Sequence, residues 1–129
     1  MKLDGFGVFV NDPEAQIEFY HDILGFEIKE TASDKNVYLE KDGTLFLMYG
    51  RTDLEGMTGS KFGFADGVNG HFEIAPGVEN YAAVDKNFAD IIAKGAKPIM
   101  QPTTMLRGHR TCYIADPEGN LIEIGSFAE

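Results

Sequence analysis

Hydrophobic and polar positions along the chain run through the same order twice. Phe6-Gly7-Val8-Phe9-Val10 is a short apolar run of aromatic and β-branched residues, which predicts a strand. In Asn11-Asp12-Pro13-Glu14, Asp12 suits a helix N-cap, Pro13 the first helical position and Glu14 the positive end of a helix. Ile17, Tyr20 and Leu24 recur at helical spacing with Ile23 beside them, and Gly25 stops the helix. Strands are predicted over residues 26–30, 37–40 and 44–49, the last two joined by Asp42-Gly43 as a tight turn.

The second half repeats this order. A strand is predicted over 71–78. A helix opens at Val84-Asp85, with Phe88, Ile91 and Ile92 on one apolar face, and Gly95 ends it. Strands follow at 96–100, 110–115 and 120–125, with Asp116-Pro117-Glu118-Gly119 as a turn between the last two. The predicted class is α+β. Two βαβββ modules, residues 1–50 and 71–129, form a curled mixed sheet with helices on its convex face and a ligand cleft on its concave face. The stretch 51–70, with Gly56, Gly59, Gly63, Gly67 and Gly70, shows little periodicity and reads either as a linker or as a mobile cover for a site. Phe62 and Phe64 favour the cover, because a solvated linker has no use for two aromatics.

Length and composition narrow the picture. The 129 residues suffice for one domain with a proper core, and 43% hydrophobic with 25% charged residues is ordinary for a globular chain. No apolar run approaches the roughly 18 residues needed to span a bilayer, and Asp4 interrupts the start too early for a secretory signal. The single cysteine, Cys112, cannot form an internal disulfide and reads as a buried, inert thiol, so a cytoplasmic location is expected. A formal net charge of −10 argues against nucleic acid and anionic membranes as partners.

Candidate chemistry concentrates in the second half. In Asn120-Leu121-Ile122-Glu123-Ile124-Gly125, Ile122 and Ile124 share one face and Glu123 turns to the other. A carboxylate in a cleft needs a metal, a cation or hydrogen-bond donors; the bland reading is an exposed glutamate on a terminal strand. His71 and Glu73 are spaced for one face of a strand and could join Glu123 in a metal set, though His71 could equally be a wet, idle residue at the strand start and Glu73 a surface partner for a lysine. Arg107 and Arg110 could hold a carboxylate or phosphate or simply balance nearby acids, the second reading being the favoured one for Arg107. Thr111 and Tyr113 share the strand face opposite Arg110 and Cys112, so Arg110 and Tyr113 cannot both point inward. Phe46, Tyr49, Phe62 and Phe64 are candidate aromatic walls, or core. His21, flanked by Asp22, reads as solvated.

The chain resembles the vicinal oxygen chelate superfamily, the glyoxalase / bleomycin resistance / ring-cleaving dioxygenase group, over nearly its whole length. Residues 9–13, Phe19-Tyr20 and Leu24-Gly25-Phe26 carry the likeness in the first half, and Arg110-Thr111-Cys112-Tyr113-Ile114-Ala115-Asp116-Pro117-Glu118-Gly119-Asn120-Leu121-Ile122-Glu123-Ile124 in the second. The resemblance implies the paired βαβββ fold and a homodimer. Metal-dependent members place ligands on inward positions of the first and last strands of each module. Carried over by position, these fall at or next to Gly5, at Leu47, at Glu73 (or His71) and at Glu123. Gly5 and Leu47 cannot ligate. The expectation is therefore a small-molecule-binding protein like the antibiotic-sequestering members, metal-free or weakly metal-binding, its ligand held by Arg110, Phe46, Tyr49, Phe62 and Phe64. The alternative is a lyase, isomerase or dioxygenase holding one divalent cation (Zn, Ni, Mn or Fe) through His71 or Glu73 with Glu123, where the metal polarises adjacent substrate oxygens. A third reading uses Glu123 as a catalytic base without metal.

Overall fold

Two compact units, Met1–Phe64 and Ala65–Glu129, make up the chain in a computed structural model that describes residues 1–28 and 36–129. In the first unit, strand β1 (Gly5–Val10) leads to helix α1 (Pro13–Glu18). Asp12 caps that helix as its residue type predicts, its Oδ1 accepting from the Ala15 amide at 3.1 Å. The helix then widens into a π-turn over Phe19–Ile23, closed by the Leu24 amide on the Phe19 carbonyl at 3.1 Å. The extra residue in that turn shifts the buried stripe. Gln16, Phe19 and Tyr20 are buried, whereas Ile17, Ile23 and Leu24, which a regular helical period favours, are only half-buried.

Residues 26–28 of the predicted strand 26–30 form no regular strand, and the rest of it lies outside the described residues. Strands β2 (Asn36–Lys41) and β3 (Thr44–Gly50) pair antiparallel through Asp42-Gly43, both with positive φ (52° and 78°), the backbone of a type I′ hairpin. Strand β1 joins the other edge of β3 in parallel, giving the order β1-β3-β2 among the described residues. Gly5 permits this pairing, because a Cβ there would collide with the Leu45 carbonyl. Val8, Val10, Val37, Phe46 and Met48 are buried on one side together with Phe19 and Tyr20, with Tyr20 set edge-on to Phe46 at 5.0 Å. Residues 51–58, read from sequence as linker or cover, form helix α2 (Arg51–Thr58), which ends at Gly59 in the left-handed conformation (φ 66°). None of its residues is buried, so it leaves no apolar period in the sequence.

The second unit runs β4 (Asn69–Ile74), α3 (Tyr81–Ala93), β5 (Lys97–Thr104), β6 (Arg110–Ala115) and β7 (Asn120–Ser126). Strand β4 stops short of the predicted residue 78, just before Pro76, which cannot donate to a ladder. Helix α3 starts three residues before Val84, because Asn80 caps it: its Oδ1 accepts from the Ala83 amide at 2.9 Å. Val84, Phe88 and Ile91 are its buried side chains. The sheet order is β4-β7-β6-β5, with β4 parallel to β7 and the other neighbours antiparallel. Helix α3 packs on β5, β6 and β7. The turn before β7 is locked by buried Asp116, whose carboxylate accepts from the Asn120 amide and side chain, both at 2.9 Å. Each unit therefore carries one mixed sheet and one core, and the class is α+β. Among the described residues no helix is long and apolar enough to cross a membrane.

Candidate functional site

Strict alternation along β6 and β7 sorts their side chains between two faces. Cys112, Ile114, Ile122 and Ile124 are buried on the face that α3 covers. Arg110 shares that face, where its Nε and a terminal nitrogen reach Asp85 of α3 at 2.7 and 2.6 Å and a second terminal nitrogen donates to Thr104 Oγ1 at 3.0 Å. The guanidinium is thus held as an ion pair away from the open face, and the predicted ligand-binding role of Arg110 finds no support in its placement.

Thr111, Tyr113 and Glu123 occupy the opposite face. Tyr113 and Glu123 are direct cross-strand partners. The Thr111 hydroxyl donates to Glu123 Oε1 at 2.8 Å, with the Ile124 carbonyl a longer alternative at 3.3 Å. From the neighbouring β4, Glu73 accepts the Tyr113 hydroxyl at 2.9 Å, and Glu123 is a second acceptor in reach of that hydroxyl. Burial, the hydrogen bond to Glu73 and the charges of Glu123 and Glu73 all push the Tyr113 phenol above its ordinary value, so it stays a neutral donor. Glu123 itself is 17% exposed, a carboxylate largely withdrawn from water and compensated by hydroxyl groups.

His109 completes the group. Its Nδ1 lies 3.8 Å from Glu123 Oε1, an ion pair whenever the imidazole is protonated. The ring stacks on Phe127 at 4.2 Å and 13°, and its Nε2 lies over Gly125, where a Cβ would collide with it. Sequence reasoning missed His109, because the feature that admits it is an absence of side chain at Gly125, two residues along β7 from Glu123. It also passed over Thr111 and Tyr113 as site residues, although the apolar pair Cys112 and Ile114 already assigns them to the face shared with Glu123.

The donor set does not suit a divalent metal. Among the described residues no group of three or more His, Cys, Asp and Glu side chains could hold one. His71 is exposed at the start of β4, where the β4–β7 register shifts between Asn69 and Glu73, and does not gather with Glu73 and Glu123 into a ligand shell. Both carboxylates already accept from protein hydroxyls. The positions carried over in the first module, Gly5 and Leu47, offer no donor atoms in their side chains.

The aromatic candidates lie in the first unit. Phe46 is 1% exposed, stacked with Phe6 at 4.8 Å, and belongs to the core rather than to a wall. The Tyr49 hydroxyl approaches Met57 Sδ of α2 at 3.9 Å. Phe62 and Phe64 sit 6.4 Å apart, with the Arg51 guanidinium 4.6 Å from the Phe64 ring centre. Glu55 pins this segment to α2 by accepting from the Phe62 amide at 3.2 Å and Lys61 Nζ at 2.5 Å, and those bonds, that of Lys61 foremost, hold its carboxyl below the ordinary value.

Comparison with known proteins agrees with this architecture. The chain is 27% identical over 125 residues to the uncharacterised protein YwbC of Bacillus subtilis, covering 95% of this chain and 94% of that one. The solution structure of protein ATC0852 from Agrobacterium tumefaciens is 28% identical, with a TM-score of 0.77 over 100% of this chain and 99% of that one. A glyoxalase/bleomycin resistance protein/dioxygenase family enzyme from Burkholderia phytofirmans is 25% identical, with a TM-score of 0.81 over 97% and 98% of the two chains. A family model matches residues 2–124, and with it the chain belongs to the Glyoxalase/Bleomycin resistance protein/Dioxygenase superfamily.

Proposed function

We propose that the protein binds a small organic molecule on the open face of the second sheet, with Glu123 as the polar anchor. The observation that carries this reading is a carboxylate 17% exposed, fixed by Thr111 on the sheet face away from α3 and flanked by Tyr113, Glu73 and His109. Polar groups so placed orient a ligand, while neighbouring rings such as Phe127 supply contact area. Thr111 and Tyr113 spend their hydrogens on the carboxylates, so the remaining lone pairs of Glu73 and Glu123 present acceptors. The ligand chemistry that fits is an N–H or O–H donor, best as a cationic amine. The same reading keeps the homodimer that the family resemblance implies; light scattering at micromolar concentration giving the mass of one chain would remove it.

The test is a screen of amine-bearing and hydroxyl-bearing small molecules by thermal shift, with hits followed by calorimetry on wild type and Glu123→Gln. Loss of a charge-assisted hydrogen bond is worth roughly 1.5–3 kcal/mol, so at least a tenfold weakening is expected in the variant. Hits that bind both proteins equally would place binding elsewhere.

A further inference from the structure

Of the metal positions that the resemblance implies, Gly5 and Leu47 carry no donor side chain, while Glu73, exposed on β4, and Glu123, 17% exposed and so in need of a compensating partner, remain. The structure supplies that partner. Tyr113 donates to Glu73 Oε2 at 2.9 Å and has Glu123 as a second acceptor in reach. Thr111, 3% exposed, donates to Glu123 Oε1 at 2.8 Å. We propose that these two hydroxyls stand in place of a divalent metal, clamping Glu73 and Glu123 so that the site is built and held without an ion.

Geometry supports the substitution. Both hydroxyls come from one strand, β6, two residues apart on one face, and both acceptors come from the two strands on its far side in the order β4-β7-β6. Tyr113 is long enough to cross β7 and reach β4, whereas Thr111 serves the adjacent β7. A metal would have to draw the carboxylate oxygens away from these donors, and with fewer than three protein ligands among the described residues it would bind only weakly, at millimolar concentration, once a donor was gone. The clamp fixes the carboxylate oxygens as acceptors, which is what a site for an organic donor requires. The clamp holds the carboxylates whatever ligand they meet, so metal alone tests it.

Wild type, Tyr113→Phe and Tyr113→Phe combined with Glu123→Gln are titrated with Mn2+ and, separately, Zn2+, reading metal content after desalting and the unfolding temperature. Wild type is expected to keep no stoichiometric metal and to show no metal-dependent shift. Tyr113→Phe, with the phenol removed, is expected to gain a rise of roughly 2–4 °C at millimolar Mn2+, and the added Glu123→Gln change is expected to abolish it. Near-stoichiometric metal on wild type overturns the proposal. So does a Tyr113→Phe protein that responds to metal no more than wild type. Should Tyr113→Phe not fold, Thr111→Val, which strips the hydroxyl from Glu123, is read in the same way. A screen without ligand hits removes the ligand-binding reading and leaves this result standing, and the reverse holds as well.

Discussion

Gly125 decides where His109 goes. It lies in β7 without a positive φ, so its backbone would accept alanine; only space forbids it, because a Cβ there would meet His109 Nε2. The obstacle is the end of a side chain rather than backbone, so the ring moves and the sheet stays. Gly125→Ala is therefore expected to cost roughly 1–3 kcal/mol, the usual range for overpacking. It should also swing His109 off Phe127 and away from Glu123. The check is the imidazole proton signals of His109, whose ring-current shift from the stacked Phe127 should collapse towards ordinary values. An unchanged shift would mean that His109 is held by something other than the fit between Gly125 and Phe127. The same case shows why His109 was not legible in the sequence: His109 and Gly125 are sixteen positions apart, and only the β6–β7 register brings them together. Glu123 was legible, because alternation between Ile122 and Ile124 fixes its face locally.

At the scale of elements, what could be read was whatever alternates or caps locally. Strands β6 and β7 and the β2–β3 hairpin match expectation to within a residue, because their turns are written in Asp116–Gly119 and Asp42-Gly43. Three departures share a cause in forces that leave no period. The π-turn at Phe19–Ile23 inserts a residue and moves burial onto Phe19 and Gln16. Helix α2 buries nothing, so its helicity comes from backbone bonds and the Gly59 cap, and a Gly-rich stretch hides it. Strand β5 extends to Thr104, past the predicted residue 100, through Pro102 and two register shifts that only an edge position tolerates. Arg110 was ambiguous for a different reason. Its strand face is set by parity, but the decision between cleft and helix rests on Asp85, which belongs to another element.

Across the whole molecule, the charge balance and the buried ionisable groups set how stability answers to pH. The net charge of −10 becomes more negative in alkali, and two groups in the second sheet resist that change. Burial first of all pushes the Cys112 thiol up from 9.0 to about 11, and Tyr113 is held above its ordinary value by burial and by Glu73. In each case the folded state keeps its proton where the unfolded chain has lost it. For Cys112 the stabilisation is thus complete below the unfolded value near 9 and is lost as pH rises through about 11, while the loss for Tyr113 begins at higher pH. For Cys112 alone the full loss is roughly 2–3 kcal/mol, by the conversion of about 1.4 kcal/mol per pH unit between the two values. Urea midpoints measured between pH 8 and 11 should fall steeply for wild type. Cys112→Ala, although less stable at pH 8 through the small cavity it opens, should fall more gently, so that the two curves converge in alkali. Parallel curves would show that the alkaline loss comes from the general acidity of the surface and that the thiol is not the proton-holding group.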